Sequence, residues 1–245
     1  MIKAVVFDLD DTLISERQYI LSGFKVISNE ISNMYNLDRE EIYEKMINLF
    51  EESSKNVFNR ILDYFNIKYS KDEIMKLINI YRNHKPNIRF YDDVIPNINK
   101  LKQEGIKVGI ITDGYRETQL RKIEVLKCRE LFDEIIITDE LGREFWKPHI
   151  KSYVMMAEKL KVKFNEMIYV GDNVIKDFKG ANSLGILTFR VDRENGIYKN
   201  SNCEDGFEAK YIAKDISCIN RWIKENIEKG KVGNIYEENL ICNYS

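Results

Sequence analysis

No stretch of the chain approaches the roughly 18 apolar residues of a membrane span, and no basic segment followed by a long apolar run opens it, because acids arrive by Asp8. Neither sign of charge dominates. Lys and Arg number 38 against 40 Asp and Glu, for a net charge of −2, so no basic field marks the chain for nucleic acid or anionic membranes. Cysteine is sparse: Cys128, Cys203, Cys218 and Cys242 are widely spaced and form no C-x-x-C pair. They read as reduced thiols rather than a disulfide frame or a zinc site. A G-x-x-x-x-G-K-S/T loop is absent, which leaves a P-loop nucleotide site unsupported; so is G-x-S-x-G, which argues against a serine hydrolase of the α/β type. Internal repeats and low-complexity tracts are also missing. These absences lead us to expect a cytoplasmic protein with no nucleic-acid or membrane partner; on oligomeric state they are silent.

What is present starts with Val5-Val6-Phe7-Asp8-Leu9-Asp10-Asp11-Thr12-Leu13. A short apolar run suits a strand buried on both faces, and a parallel sheet delivers ligand-binding groups at its carboxyl edge. Asp8 and Asp10 would stand just beyond that edge and on one side of an extended chain. Carboxylates so crowded repel one another, and a hard cation between them relieves the repulsion.

The chain is 245 residues long, 44% hydrophobic and 32% charged, which suits one large domain or one domain carrying an insertion. After Leu13 the pattern turns helical. Ile20, Phe24, Ile27, Ile31 and Met34 recur at spacings of three and four, the mark of an amphipathic helix. Asp38 opens a second helix, Val57 to Phe65 make a third, and Ser70 with Glu73 forms a capping box for a fourth, closed by Pro86. Residues 15–89 thus read as a helical cap inserted into a core of residues 1–14 and 90–245. From Tyr91 the grammar is helix then strand. Asp92 or Asp93 can cap a helix that Gly105 stops, and strands are expected over Lys107–Ile111, Glu134–Thr138, Met167–Val170, Leu187–Arg190 and Ala209–Ile212. Pro148 is placed to start a helix through Tyr153 and Leu160, and the last helix is expected over Ser217–Ile227, followed by a polar tail from Gly230. Such alternation implies an α/β fold, a Rossmann-like, doubly wound parallel sheet with the helical bundle inserted into it.

Four stretches place a reactive group after an apolar run or at a helix start: Asp8 with Asp10, Thr112 with Gly114, Lys147, and Asp172 with Asp177. In a doubly wound sheet these converge on one edge. Their oxygen ligands suit Mg²⁺ better than zinc, which would want His or Cys.

Phe7-Asp8-Leu9-Asp10-Asp11-Thr12-Leu13, Thr112-Asp113-Gly114, Lys147-Pro148 and Gly171-Asp172-Asn173-x-x-x-Asp177 resemble the four motifs of the haloacid dehalogenase superfamily, in its order. The helical block resembles its C1 cap, and Asp172 to Phe189 is similar to capped nucleotidases and acylneuraminate-type sugar phosphatases. The resemblance implies that Asp8 is a nucleophile forming an aspartyl-phosphate, and that Asp10 is the acid that protonates the leaving oxygen and then activates water. It implies Mg²⁺ on the Asp8 side chain, the Asp10 carbonyl and the Asp172 side chain, with Asp177 holding a metal-bound water or orienting Lys147. Thr112 and the amides of Asp113 and Gly114 would bind the substrate phosphate, and Lys147 would neutralise Asp8 and the phosphoryl group. Many relatives carry Asn at the place of Asp113; an acid pointing inward there would repel phosphate, so its carboxylate is expected to point away. An acid at Asp10 disfavours dehalogenation, since expelling halide needs no proton donor.

The implied activity is phosphomonoester hydrolysis on a small phosphorylated metabolite, a nucleoside monophosphate or a sugar phosphate. A phosphomutase of the same family shares every catalytic residue, a phosphonate hydrolase would need an imine-forming cap lysine, and a non-catalytic scaffold needs none of these residues. His149, His84, the cap stripes, and Arg17, Lys55, Arg60 and Arg89 read as structural or solvated, with His84 expected at the surface. Asp11 reads as a shaper of the turn into the cap.

Overall fold

The computed structural model describes residues 1–193 and 206–228, the last two by their backbone only. Strand β1 (Ala4–Phe7) is buried at every position. Val5 and Phe7 enter one apolar core, and Ala4 and Val6 enter another on the opposite face. That two-sided burial is why the run is continuous rather than alternating.

The chain then leaves the sheet for four helices, α1 (Glu16–Tyr35), α2 (Arg39–Glu52), α3 (Val57–Tyr64) and α4 (Lys71–Asn83). They enclose a core of their own around Phe24, Ile27, Ile31, Ile42, Met46 and Ile61. The Asp38 side chain accepts the Glu41 amide at 2.7 Å, and the Ser70–Glu73 capping box forms at the start of α4. Two expectations fail here. Met34 sits on the outer side of the α1 stripe, 40% exposed. His84 is buried: its ring lies against Tyr19 and Tyr81, and its Nδ1 is 2.6 Å from the Tyr81 carbonyl.

The return to the sheet runs α5 (Val94–Gln103), β2 (Lys107–Thr112), α6 (Arg116–Val125), α7 (Cys128–Leu131) and β3 (Glu134–Ile137). Helix α8 (Lys151–Leu160), β4 (Met167–Gly171), α9 (Lys179–Ser183), β5 (Leu187–Val191), β6 (Tyr211–Ala213) and α10 (Ile216–Glu228) follow. The six strands are all parallel, in the order β3-β2-β1-β4-β5-β6. The winding direction reverses between β1 and β4, and that crevice is where doubly wound sheets bind ligands. Phe7 is in register with Ile110 and Val170, so the residues after β1, β2 and β4 emerge side by side.

Asp93 stands before α5 but does not cap it. Its carboxylate instead accepts from Arg193 at 2.8 Å and the Ile216 amide at 2.9 Å, tying the two helices of one face together. The strand expected from Ala209 begins at Tyr211, and α8 begins three residues after Pro148. Cys128 and Cys218 are buried free thiols; Cys203, Cys242 and the tail from Gly230 lie outside the described residues. No helix of the described residues is long and apolar enough to cross a membrane.

Candidate active site at the carboxyl edge of the sheet

Asp8 follows β1 and is 1% exposed. Its Oδ1 accepts from Lys147 Nζ at 2.7 Å, whereas its Oδ2 is buried without a partner. Lys147 Nζ also donates to Asp177 Oδ1 at 2.7 Å and to the Tyr169 hydroxyl at 3.0 Å. Asp177 Oδ2 takes the Asn173 amide at 2.9 Å, so its carboxylate is engaged on both sides and serves as an anchor for Lys147. Asp172, at the end of β4, receives the Thr12 hydroxyl at 3.3 Å.

Carboxylate oxygens of Asp8, Asp172 and Asp177 lie within 4.8 Å of one another. Burial, reinforced by the Asp177 charge, pushes the Asp8 carboxyl up to about 6 despite Lys147. Burial does the same to Asp172 more strongly, with Asp177 and Asp8 adding repulsion. Two buried acids held above their ordinary range, one with an orphaned oxygen, are what a divalent cation would relieve. The donor set is all oxygen, which fits a hard cation.

Thr112 ends β2 and is buried. The Asp113 carboxylate turns away from Asp8: Oδ1 accepts from the Thr138 hydroxyl at 2.6 Å and the Lys147 amide at 3.2 Å. The Asp113 carbonyl accepts from Gln119 Nε2 at 2.5 Å, and Gly114 has φ +131°, a conformation that favours glycine.

Two residues that motif reading missed hold Asp10. Lys122 Nζ donates to both Asp10 oxygens at 2.7 Å, and Gln119 Nε2 donates to Asp10 at 2.8 Å and to the Thr112 hydroxyl at 2.8 Å. Burial opposes ionisation of Asp10, but Lys122 and then Gln119 outweigh it and hold the carboxyl below its usual range. Gln119 and Lys122 are three apart on α6, hence on one face, and both are almost fully buried. A polar pair at i, i+3 directly after Thr112-Asp113-Gly114 was the available signal. Lys176 is a further missed cation. Burial would lower it, but Asp8 above all keeps it charged. Arg193 fixes the turn after Asp10 by donating twice to the Thr12 carbonyl, at 3.0 and 2.8 Å. Asp11, at φ 51°, accepts the Glu16 amide at 2.9 Å and so starts α1. His149 is exposed, and Arg17, Arg60 and Arg89 pair with Glu51, Glu52 and Asp92 on the surface.

Between the helical bundle and this edge lies a cavity of about 400 Å³, with Asp10, Gln119 and Lys122 on the sheet side and Phe24, Phe58 and Tyr81 on the other.

A family model described as haloacid dehalogenase-like hydrolase matches residues 5–191. A glyceraldehyde 3-phosphate phosphatase of Methanocaldococcus jannaschii is 32% identical over 204 residues, covering 81% of this chain and 88% of that protein. Pyrophosphatase PpaX of Bacillus mycoides is 29% identical over 196 residues, covering 78% and 83%. Among solved structures, a HAD phosphatase from Thermococcus onnurineus superposes with a TM-score of 0.59 at 22% identity, over 91% of this chain and 98% of that one. The chain therefore belongs to the haloacid dehalogenase-like hydrolases, among their phosphatases.

Proposed function

We propose that the protein is a Mg²⁺-dependent phosphomonoester hydrolase that works through an aspartyl-phosphate on Asp8 and acts on a small phosphorylated metabolite, a sugar phosphate or nucleoside monophosphate. The observation that carries this reading is the buried Asp8, with one oxygen held by Lys147 and the other unpartnered, beside Thr112 and Asp172. The phosphatase names of the curated relatives support it, one of them for a triose phosphate.

Asp8, the Asp10 carbonyl and Asp172 would hold the Mg²⁺, with Asp177 acting through Lys147. When bound, the ion supplies positive charge that lowers the repulsion between a carboxylate and a phosphate dianion. Thr112, the amides of Asp113 and Gly114, and Lys147 bind the phosphoryl oxygens and hold phosphorus in line with Asp8. One carboxylate oxygen of Asp8 attacks phosphorus; the P–O bond to the alcohol breaks, and Asp10 passes a proton to the departing oxygen. Asp10 rests ionised under Lys122, so it takes up a proton from solvent, to which its side chain is 14% exposed, before giving it to the departing oxygen. Asp10 then takes a proton from the water that cleaves the acyl phosphate.

Residues 15–89 are the cap over a core of 1–14 and 90–245, and their closure excludes bulk water from the site. The test is hydrolysis of p-nitrophenyl phosphate with Mg²⁺. Asp8→Asn and Asp10→Asn should each abolish it while the protein still melts cooperatively; full activity in either variant sinks the mechanism.

A further inference from the structure

The phosphate half of the substrate is served by the groups above, and the cavity receives the other half. Glu16, the first residue of α1, lines that cavity together with Asp10 and Lys122 and is half-buried. Its backbone amide is used by Asp11, but no hydrogen bond or ion pair from the described residues reaches its carboxylate. The charges that act on it are Asp10 and Asp11, which repel it, and Lys122 and Lys176, which attract it. Lys122 already gives its ammonium to both Asp10 oxygens. Arg82, another cation lining the cavity, sits over the Tyr115 ring, its Cζ 3.6 Å from the centroid. Burial, then Asp10, pushes the Glu16 carboxyl up to about 7, as expected of an acceptor short of donors.

A carboxylate left without donors in a partly dry cavity gains from a hydroxyl and loses from a second anion. Phe24, Phe50, Phe58 and Ile78 supply an apolar part of the wall that suits a carbon skeleton rather than another charge, with Ser54 and Asn59 among its uncharged polar members.

We propose that Glu16 is a specificity-determining residue: it accepts a hydrogen bond from a hydroxyl of the leaving group and rejects leaving groups that carry negative charge. The substrates are then phosphate esters of uncharged, hydroxylated alcohols, and inorganic pyrophosphate, whose leaving group is itself an anion, is a poor one. This rests on the phosphatase reading of the site.

The test compares two esters that differ in one group, glycerol 3-phosphate and 3-phosphoglycerate, assayed with Mg²⁺ at about pH 8.5, where a carboxyl titrating near 7 is ionised. The wild type is expected to favour glycerol 3-phosphate by at least about ten-fold in kcat/KM. Glu16→Gln, which keeps the shape and removes the charge, is expected to shrink that ratio by at least about five-fold, chiefly through faster use of 3-phosphoglycerate. Glu16→Ala should move the ratio in the same direction, with thermal melts confirming that both variants are folded. Inhibition constants against p-nitrophenyl phosphate report the same preference where one ester turns over slowly. An unchanged ratio in both variants overturns the proposal. So does a wild-type preference for 3-phosphoglycerate that is lost in Arg82→Gln. A wild type that hydrolyses no phosphate ester, p-nitrophenyl phosphate included, refutes the phosphatase reading instead. Titration calorimetry of the two esters on the wild type and Glu16→Gln then decides on Glu16 by itself.

Discussion

Replacing Lys122 by Met removes a charge while keeping most of the volume, and it separates the role of Asp10 from the rest of the site. Lys122 is 2% exposed and spans from the Tyr19 ring, 4.5 Å away, to both Asp10 oxygens. Removing one partner of a buried pair costs about 3–5 kcal/mol when the other is left bare. Asp10 keeps Gln119 and has 14% of its side chain in contact with solvent, so a loss of about 2 kcal/mol is expected. For a protein of this length that is a fall of about 4–8 °C in Tm.

The catalytic effect should depend on the leaving group. An alkyl phosphate needs a proton on its departing oxygen, and a positioned acid contributes about 10²–10⁴-fold. With Asp10 held by Gln119 alone, kcat for glycerol 3-phosphate should fall about 100-fold, or about 2.7 kcal/mol in the barrier. p-Nitrophenolate departs with little help, so kcat for its ester should fall less than about ten-fold. The assay is steady-state phosphate release from both esters, with wild type and variant at matched pH and saturating Mg²⁺. Equal losses on the two esters would mean that Lys122 merely supports the fold, and unchanged kcat on both would remove it from the mechanism.

Other consequences follow from the same geometry. The Asp8 carboxyl is raised to about 6 and that of Asp172 is also raised, chiefly by burial, whereas in an unfolded chain each titrates near 3.9. Without a cation, the contribution of Asp8 to stability is fully present below about pH 4 and is lost as pH rises through about 6, and that of Asp172 is lost in the same direction. Mg²⁺ requires both ionised, so the rise in Tm that it causes should be larger at neutral pH than at about pH 5; a shift independent of pH would count against these ligands. Thr138→Val removes a donor to the buried Asp113 carboxylate at 2.6 Å and should cost about 1–3 kcal/mol in denaturant unfolding. A wild-type midpoint would show that this bond does not matter. Gly180 packs so closely that an added Cβ would clash with the Pro148 carbonyl oxygen. Gly180→Ala should therefore destabilise by about 1–3 kcal/mol and lower kcat by displacing Lys147; unchanged kcat would show that the loop yields without moving it.

Much of the molecule was legible from local pattern. Apolar runs ending in Asp8, Thr112 and Gly171, separated by helical periodicity, specify parallel strands whose ends must meet, since right-handed crossovers allow little else. The capping box at Ser70 and the stripes through Ile27 and Ile42 specify the bundle, because these signals are short-range. What only the tertiary structure decided concerns contacts across large separations. Gln119 and Lys122 reach Asp10 more than a hundred positions away; their i, i+3 spacing puts them on one face of α6, but that this face turns inward is decided by packing. His84 reads as a surface residue until Tyr19 and Tyr81 close over it, and Asp93 reads as a cap until Arg193 and Ile216 claim its oxygens. Glu16 is one acid among many in the chain; its place on the cavity wall, with no hydrogen bond or ion pair from the described residues reaching its carboxylate, is what sets it apart. Chemistry carried by residue type and chain order is written in the sequence. The partners that tune that chemistry are set by packing, which brings distant side chains within hydrogen-bond reach.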